Sequence, residues 1–341
     1  MKLTKTLIAV TLTSLLAACG GSDNDSNPQP QMGSFSLGVS DNPADATQVN
    51  IAFKQVVLKN KNSGESFPFI VTQQVDLLAF QGSSAETLVE GVQVPVGEYQ
   101  MCIYMENSET VDTASSFVKT KDGIDKGLVT NSVGESCGDA DIDKDKSVGR
   151  LFFNKAFTIA AGANDYVAEF DLARGIQAPH GNKDYWTLKP TSVQLVNRAE
   201  VGNISGQVSD ELMAACETAA GGSEFAPAVY LYPAATLLDN MSDIRPAVTE
   251  PMVAPLAVAR VNEITNAEEV VTGHDYEFGF VVTGDYALGY TCVAQNDDPE
   301  ADNSPTDVEM PFFIHADEQD VTVTKGETTT RHFPGDFTPA S

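Results

Sequence analysis

Basic and histidine side chains are scarce in this 341-residue sequence, which has 20 Lys+Arg against 48 Asp+Glu, 4 His and a single Trp. The shortage of bases leaves a net charge of -28, and it is uneven, since residues 199–341 hold 25 acids against 4 bases. A surface of that sign repels phosphate backbones and anionic headgroups, which argues against nucleic acid as a partner. The histidines, His180, His274, His315 and His332, stand far apart, and none belongs to an H-E-x-x-H pattern. The sequence also has no Gly-rich phosphate loop and no C-x-x-C pair. Carboxylate pairs of the glycoside-hydrolase kind are not excluded, because their separation of roughly 5 to 10 Å is set by the fold. Long apolar runs are missing too. The longest near the start, residues 7–16, is too short to span a bilayer.

That short run has a meaning of its own. Lys2 and Lys5 give it a basic head, and the small residues Ala17 and Ala18 follow it, which is the layout of a signal peptide over residues 1–18. Leu16-Ala17-Ala18-Cys19 resembles the lipobox of bacterial lipoproteins, which implies that the Cys19 thiol is acylated and becomes the first residue of the mature protein. Residues 19–33 then read as the lipidated cysteine and a flexible tether, since 20–31 contain no large apolar residue to bury. Gly20 stands where an aspartate in enteric lipoproteins implies retention at the inner membrane, so the resemblance points to the outer membrane, with its face left open.

The 323 residues after the signal exceed what one core usually serves. Glycine, proline, valine and threonine are plentiful, and short alternating segments recur at 34–40, 48–53, 56–59, 67–72, 74–78, 91–94, 99–105, 150–153, 166–172 and 185–196. Turn residues such as Asp41-Asn42-Pro43 separate them. The expected class is all-β, with two β-sandwich domains of immunoglobulin or transthyretin-like type at 34–198 and 199–341.

Four motifs make the first of these recognisable. They are Leu37-Gly38-Val39-Ser40-Asp41-Asn42-Pro43 with Val49-Asn50-Ile51, then Val75-Asp76-Leu77-Leu78, then Val94-Pro95-Val96-Gly97-Glu98-Tyr99, and finally Leu188-Lys189-Pro190. In these, residues 34–197 resemble bacterial lipoproteins of the domain-of-unknown-function family 4382, which implies an exported β-rich domain with no assigned reaction. In the second half, Val201-Gly202-Asn203-Ile204-Ser205-Gly206-Gln207-Val208 is similar to the first strand of carboxypeptidase-regulatory or transthyretin-like modules. Residues 281–288 are similar to their turn and strand, and 321–329 to their closing hairpin, while 210–220 read as a helical insertion and 240–255 as a proline-interrupted loop. Gly97-Glu98-Tyr99 and Gly284-Asp285-Tyr286 echo one another ahead of Cys102 and Cys292; glycine at each can supply positive φ, and each tyrosine hydroxyl can find a backbone partner.

With Cys19 set aside, Cys102, Cys137, Cys216 and Cys292 form an even set in an exported chain, where thiols are oxidised. Four cysteines allow three connectivities, and the two-domain division selects Cys102 with Cys137 and Cys216 with Cys292. Each bridge is worth about 3 to 4 kcal/mol.

Three places invite a ligand. Asp139, Asp141, Asp143 and Asp145 alternate as carboxylates that could converge on Ca²⁺. The loop fits an EF-hand poorly, since lysine stands where the turn needs glycine, and the reading preferred over a calcium site is a solvated loop beside Cys137. Asp297, Asp298, Glu300 and Asp302 form a second acidic loop with the same ambiguity. Trp186, next to Tyr185, reads either as a platform for a sugar ring or as a core residue. Together these observations lead to the expectation of a non-enzymatic protein, anchored to the outer membrane by its N-terminal lipid, that binds a protein or carbohydrate. A cell-envelope polysaccharide hydrolase and a calcium-dependent adhesion module are the alternatives.

Overall fold

The computed structural model describes residues 30–42, 46–111, 114–131, 137, 147–153, 155–245, 247–301 and 311–337. Strands come in chain order as β1 (Met32–Asn42), β2 (Gln48–Asn60), β3 (Ser66–Asp76), β4 (Glu86–Pro95), β5 (Gly97–Glu106), β6 (Phe117–Lys119), β7 (Asp125–Thr130), β8 (Val148–Phe152), β9 (Phe157–Ile159) and β10 (Gly162–Asp171). After the one-turn helix α1 (Leu172–Gly175) come β11 (Ile176–Gln177), β12 (Trp186–Leu188) and β13 (Val193–Asn197). These strands build two sheets, one in the order β13-β10-β1-β4 and one of nine strands containing β11-β12-β7-β6-β2-β5-β8. Alternate residues of β1 and β10, among them Phe35, Leu37, Val39, Tyr166, Ala168 and Phe170, meet Ile51, Phe53, Val56, Leu58, Met101 and Ile103 of the facing sheet in one core. The chain is thus an all-β sandwich here, as its alternation requires.

The second set of elements is β14 (Val201–Gln207), α2 (Asp210–Ala220), β15 (Ala228–Pro233), β16 (Ala257–Arg260), β17 (Asn262–Thr265), β18 (Val271–Val282), β19 (Gly284–Thr291), β20 (Ala316–Val323) and β21 (Thr328–Thr330). They form sheets ordered β17-β18-β14-β21 and β16-β15-β19-β20. Ile204, Phe278, Val229, Leu288, Tyr290, Val321 and Phe333 fill the space between the two.

Both disulfides are present. Cys102 on β5 joins Cys137, and Cys216 on α2 joins Cys292, each with Cα atoms 6.0 Å apart. The first lies with Val57 and Tyr104 in a small cluster apart from the main core. The second ties α2 to the end of β19. That helix starts at Ser209, whose side chain accepts from Leu212 N, and stops at Gly221 with φ 69°.

Several boundaries differ from the sequence expectation. Met32 and Gly33 belong to β1 rather than to the tether. Residues 185–196 are two strands in different sheets, β12 beside β7 and β13 beside β10, because Pro190 lies between them and the chain crosses over there. The segment 321–329 does not close a hairpin, since β20 pairs with β19 while β21 runs parallel to β14 in the opposite sheet. Gly97 has no positive φ; a Cβ there would sit 2.9 Å from Asn60 Nδ2, so that side chain would have to shift. The tyrosine expectation is met at both sites, with Tyr99 Oη donating to Pro95 O (2.6 Å) and Tyr286 Oη to Val282 O (2.7 Å).

Candidate binding cleft

The two sandwiches meet along a seam built from ordinary loop chemistry. Asp171 caps α1 by accepting from Arg174 N and also holds Arg174 Nη1 at 2.9 Å. So positioned, the Arg174 guanidinium donates to Leu256 O (3.2 Å) and to Pro255 O in the other half. Glu300 returns the contact through Gln177 Nε2 and Lys189 Nζ. Arg260 Nη2 reaches Ala46 O at 3.4 Å.

Between these struts lies a cleft of about 570 Å³, walled by Ala46, Thr47, Lys121 and Ala173 of the first half and Tyr230, Ile244, Gln295 and Asp297 of the second. A neighbouring cleft of about 480 Å³ shares Ile244 and Pro299 with it and is lined by Arg174, Lys189 and Arg245. The walls are mostly small and apolar with a few converging polar groups, as in many ligand sites.

Asp297 is the chemical centre of the first cleft. Its Oδ2 accepts from Tyr230 Oη at 2.8 Å, and both of its oxygens lie at hydrogen-bond distance from Ile244 N (3.1 and 3.2 Å). Burial pushes the carboxyl up to about 7, and Asp243 adds to this, against the opposing pull of Tyr230, the Ile244 N–H and Arg174. Burial, with Asp297 next, raises Tyr230 well above its ordinary value, so the phenol stays a donor. The loop carrying Ile244 is fixed from below. Tyr232 Oη donates to Ser242 O (2.6 Å), Ser242 Oγ donates to Asp243 Oδ1 (2.7 Å), and Arg245 Nε lies 2.6 Å from the same oxygen. An anion, an amide or a sugar hydroxyl could each find a complement in this lining.

The residues singled out in the sequence are not gathered here. Cys19 and Asp139, Asp141, Asp143 and Asp145 lie outside the described residues, as does Asp302. Trp186 is half-buried on β12 against the first core, and its Nε1 is buried without a hydrogen-bond partner. Of the second acidic loop, Asp297 faces the cleft, Asp298 Oδ1 accepts from Glu300 N (2.9 Å), and Glu300 joins the seam. The histidines stay apart, His274 on Asp210 (3.0 Å) and His332 accepting from Gln207 N (3.0 Å). Among the described residues no three His, Cys, Asp or Glu side chains gather to hold a metal ion, and no helix is long and apolar enough to cross a membrane. Sequence reasoning missed Tyr230, Ile244 and Arg174. The signal for Tyr230 was present in the Ala-Val-Tyr-Leu-Tyr run of β15, an unbroken buried strand of the kind found inside sheets.

Fold and cleft together define an all-β protein of two sandwiches with a mostly apolar cleft, carrying a few polar groups, at their seam. Within it, residues 32–190 match the family described as Domain of unknown function (DUF4382), a span that covers the first sandwich up to β12 and stops short of β13. No curated protein matches the chain. Among solved structures, similarity is found to a "putative cell adhesion protein" from Bacteroides fragilis NCTC 9343 (9% identity, 87% of this chain and 92% of that one, TM-score 0.20). A "putative cell adhesion protein" from Parabacteroides distasonis ATCC 8503 is similar at 11% identity, over 92% of this chain and 94% of that one, with TM-score 0.21. A leucine-rich repeat protein from Bacteroides thetaiotaomicron VPI-5482 is similar at 11% identity, over 88% of this chain and 26% of that one, with TM-score 0.17. Likenesses at these scores carry no function over to this chain.

Proposed function

We propose that the protein is anchored by lipid at Cys19 to the outer membrane, and that it recognises a protein or carbohydrate partner in the seam cleft without turning it over. The observation that carries the recognition role is the cleft itself, lined by residues of both sandwiches, with the hydrogen-bonded Asp297 and Tyr230 in its wall. The address rests on Leu16-Ala17-Ala18-Cys19 and the tether, and the two disulfides support an oxidising compartment. Replacing Cys19→Ser tests the anchor: the variant is expected to appear unprocessed or soluble on fractionation, while the wild type follows the outer membrane and shifts in mass by its acyl chains. Membrane association that survives the substitution would refute the anchor. Binding is tested separately by glycan-array and envelope-extract pull-down with wild type and Ala173→Trp, which fills the cleft; equal retention of the same partner by both would remove the cleft from the proposal.

One observation favours a second reading, a polysaccharide hydrolase. A carboxyl held near 7 in a cleft is suited to general acid catalysis. Release of reducing ends from envelope polysaccharide by the wild type, lost in Asp297→Asn, would establish this reading over recognition.

A further inference from the structure

The first sandwich has an open side. Among the described residues β13 is the outer strand of its sheet and pairs only with β10, and β8 is the outer strand of the facing sheet. A groove of about 690 Å³ lies here, lined by Phe152 and Phe153 at the end of β8, by Phe157, and by every residue of β13 from Val193 to Asn197. The completeness of that contact is informative. Successive side chains of a strand point to opposite faces, so a cavity over one face touches every second residue. Contact with all five places this groove along the outer edge of β13, where the backbone N–H and C=O groups not turned to β10 point. Among the described residues no hydrogen bond from outside β10 reaches the backbone of β13.

An unpaired strand edge beside an apolar wall is the geometry in which a segment of another chain adds as a further strand. We infer that this groove accepts an extended segment of a partner protein, which pairs with β13 and sets alternate apolar side chains against Phe152, Phe157 and Val282. β13 is five residues long, so the segment is short, with about 17 Å of strand in register. The charged side chains lining the groove are Lys155, Lys325 and Glu200, a net positive lining in a chain of net charge -28. This lining favours a segment with acidic residues at its ends. A second copy of this chain is disfavoured, because it brings an equal negative charge against the first. The inference stands apart from the seam cleft and does not depend on what that cleft binds.

The test uses the full-length protein and a labelled peptide of alternating valine and threonine with an aspartate at each end, read by fluorescence anisotropy. Saturable binding is expected. The same peptide with alternate amides N-methylated loses strand hydrogen bonds and is expected to bind about tenfold more weakly. Val282 is 60% exposed, so Val282→Glu is expected to leave the melting temperature unchanged while weakening the peptide by about three- to tenfold. Lys325→Glu is expected to weaken it in the same direction and to do so less at high salt. Equal binding of the methylated peptide would show that the groove takes side chains and not a strand, and would overturn the inference. So would a dimer on sedimentation that Val282→Glu dissolves, which would make a second copy the occupant, or no binding at millimolar peptide.

Discussion

Asp297 shows how one side chain can set the pH response of the seam. Its carboxyl sits near 7 because burial outweighs the hydrogen bonds from Tyr230 and Ile244 that favour the charged form. The folded state therefore holds a proton that the unfolded chain releases at about pH 4. Stability from this group is fully present below the unfolded value and is lost as pH rises through 7, by about 2 to 4 kcal/mol. The melting temperature is expected to fall between pH 5 and pH 8. Asp297→Asn, which keeps an acceptor for Tyr230, is expected to flatten that fall and to be the more stable protein at pH 8. An unchanged slope would show that the carboxyl is not buried in solution. Part of the slope should survive the substitution, since burial raises Asp41 well above its ordinary value in the same sense. The corner tyrosines give a second prediction at this scale. Tyr99 is fully buried and its hydroxyl closes on Pro95 O, so Tyr99→Phe should cost about 1 kcal/mol in urea unfolding. Tyr286 is more exposed, and Tyr286→Phe should cost less.

At the scale of elements, α2 depends on its sulfur link. It buries only Cys216 fully, while Leu212, Met213 and Ala220 pack against the core half-buried. Removing the pair by Cys216→Ala with Cys292→Ala is expected to cost about 3 to 4 kcal/mol, from the released loop of 76 residues, and to expose the helix to hydrogen exchange before the strands open. Exchange of α2 in step with the strands would show that packing alone holds it. This helix was legible in the sequence because its cap, its acidic first turn and its closing glycine are all local signals. The cysteine partners were legible because each bridge stays within one half. The strands were legible wherever apolar residues alternate, as in β1 and β10. They were misread where a tertiary event intervenes. β2 looked like two segments because Lys54 and Gln55 break its alternation, yet a register shift between Phe53 and Gln55 in its pairings with β3 and β5 re-aims the side chains and the strand runs on. β20 and β21 looked like a hairpin because the turn at Gly326 is local, but which sheet each joins is decided by distant β19 and β14. The cleft was hardly legible at all. Asp297 stood out only as one acid among several, because its burial comes from β15 and from the loop at Ile244, some 50 or more residues away.

For the whole molecule, the clefts have a fixed shape only if the two sandwiches do not move against each other, and a small apolar joint supports that condition. Val167 and Val196 of the first sandwich pack with Val201 and Phe280 of the second. Arg198 lies 5.3 Å over the Phe280 ring. Phe280 takes a left-handed backbone (φ 54°), which costs energy for a residue with a Cβ, and its N–H is held by Asn203 Oδ1 at 3.2 Å. The closest approach is next to it: a Cβ on Gly279 would stand 1.9 Å from Gly82 O and 2.5 Å from Ser83 N. Both are backbone atoms and cannot swing aside, so Gly279→Ala must push β18 away from the 82–83 turn. The expected loss is about 2 to 4 kcal/mol, larger than Gly→Ala in a strand with open space. Because the strain falls on the joint and spares both cores, calorimetry should show the single transition of the wild type divide into two, with new protease cutting near 197–201. If the variant melts as one unit at the wild-type temperature, the sandwiches are not locked through this contact, and a preformed cleft at Asp297 loses its mechanical basis.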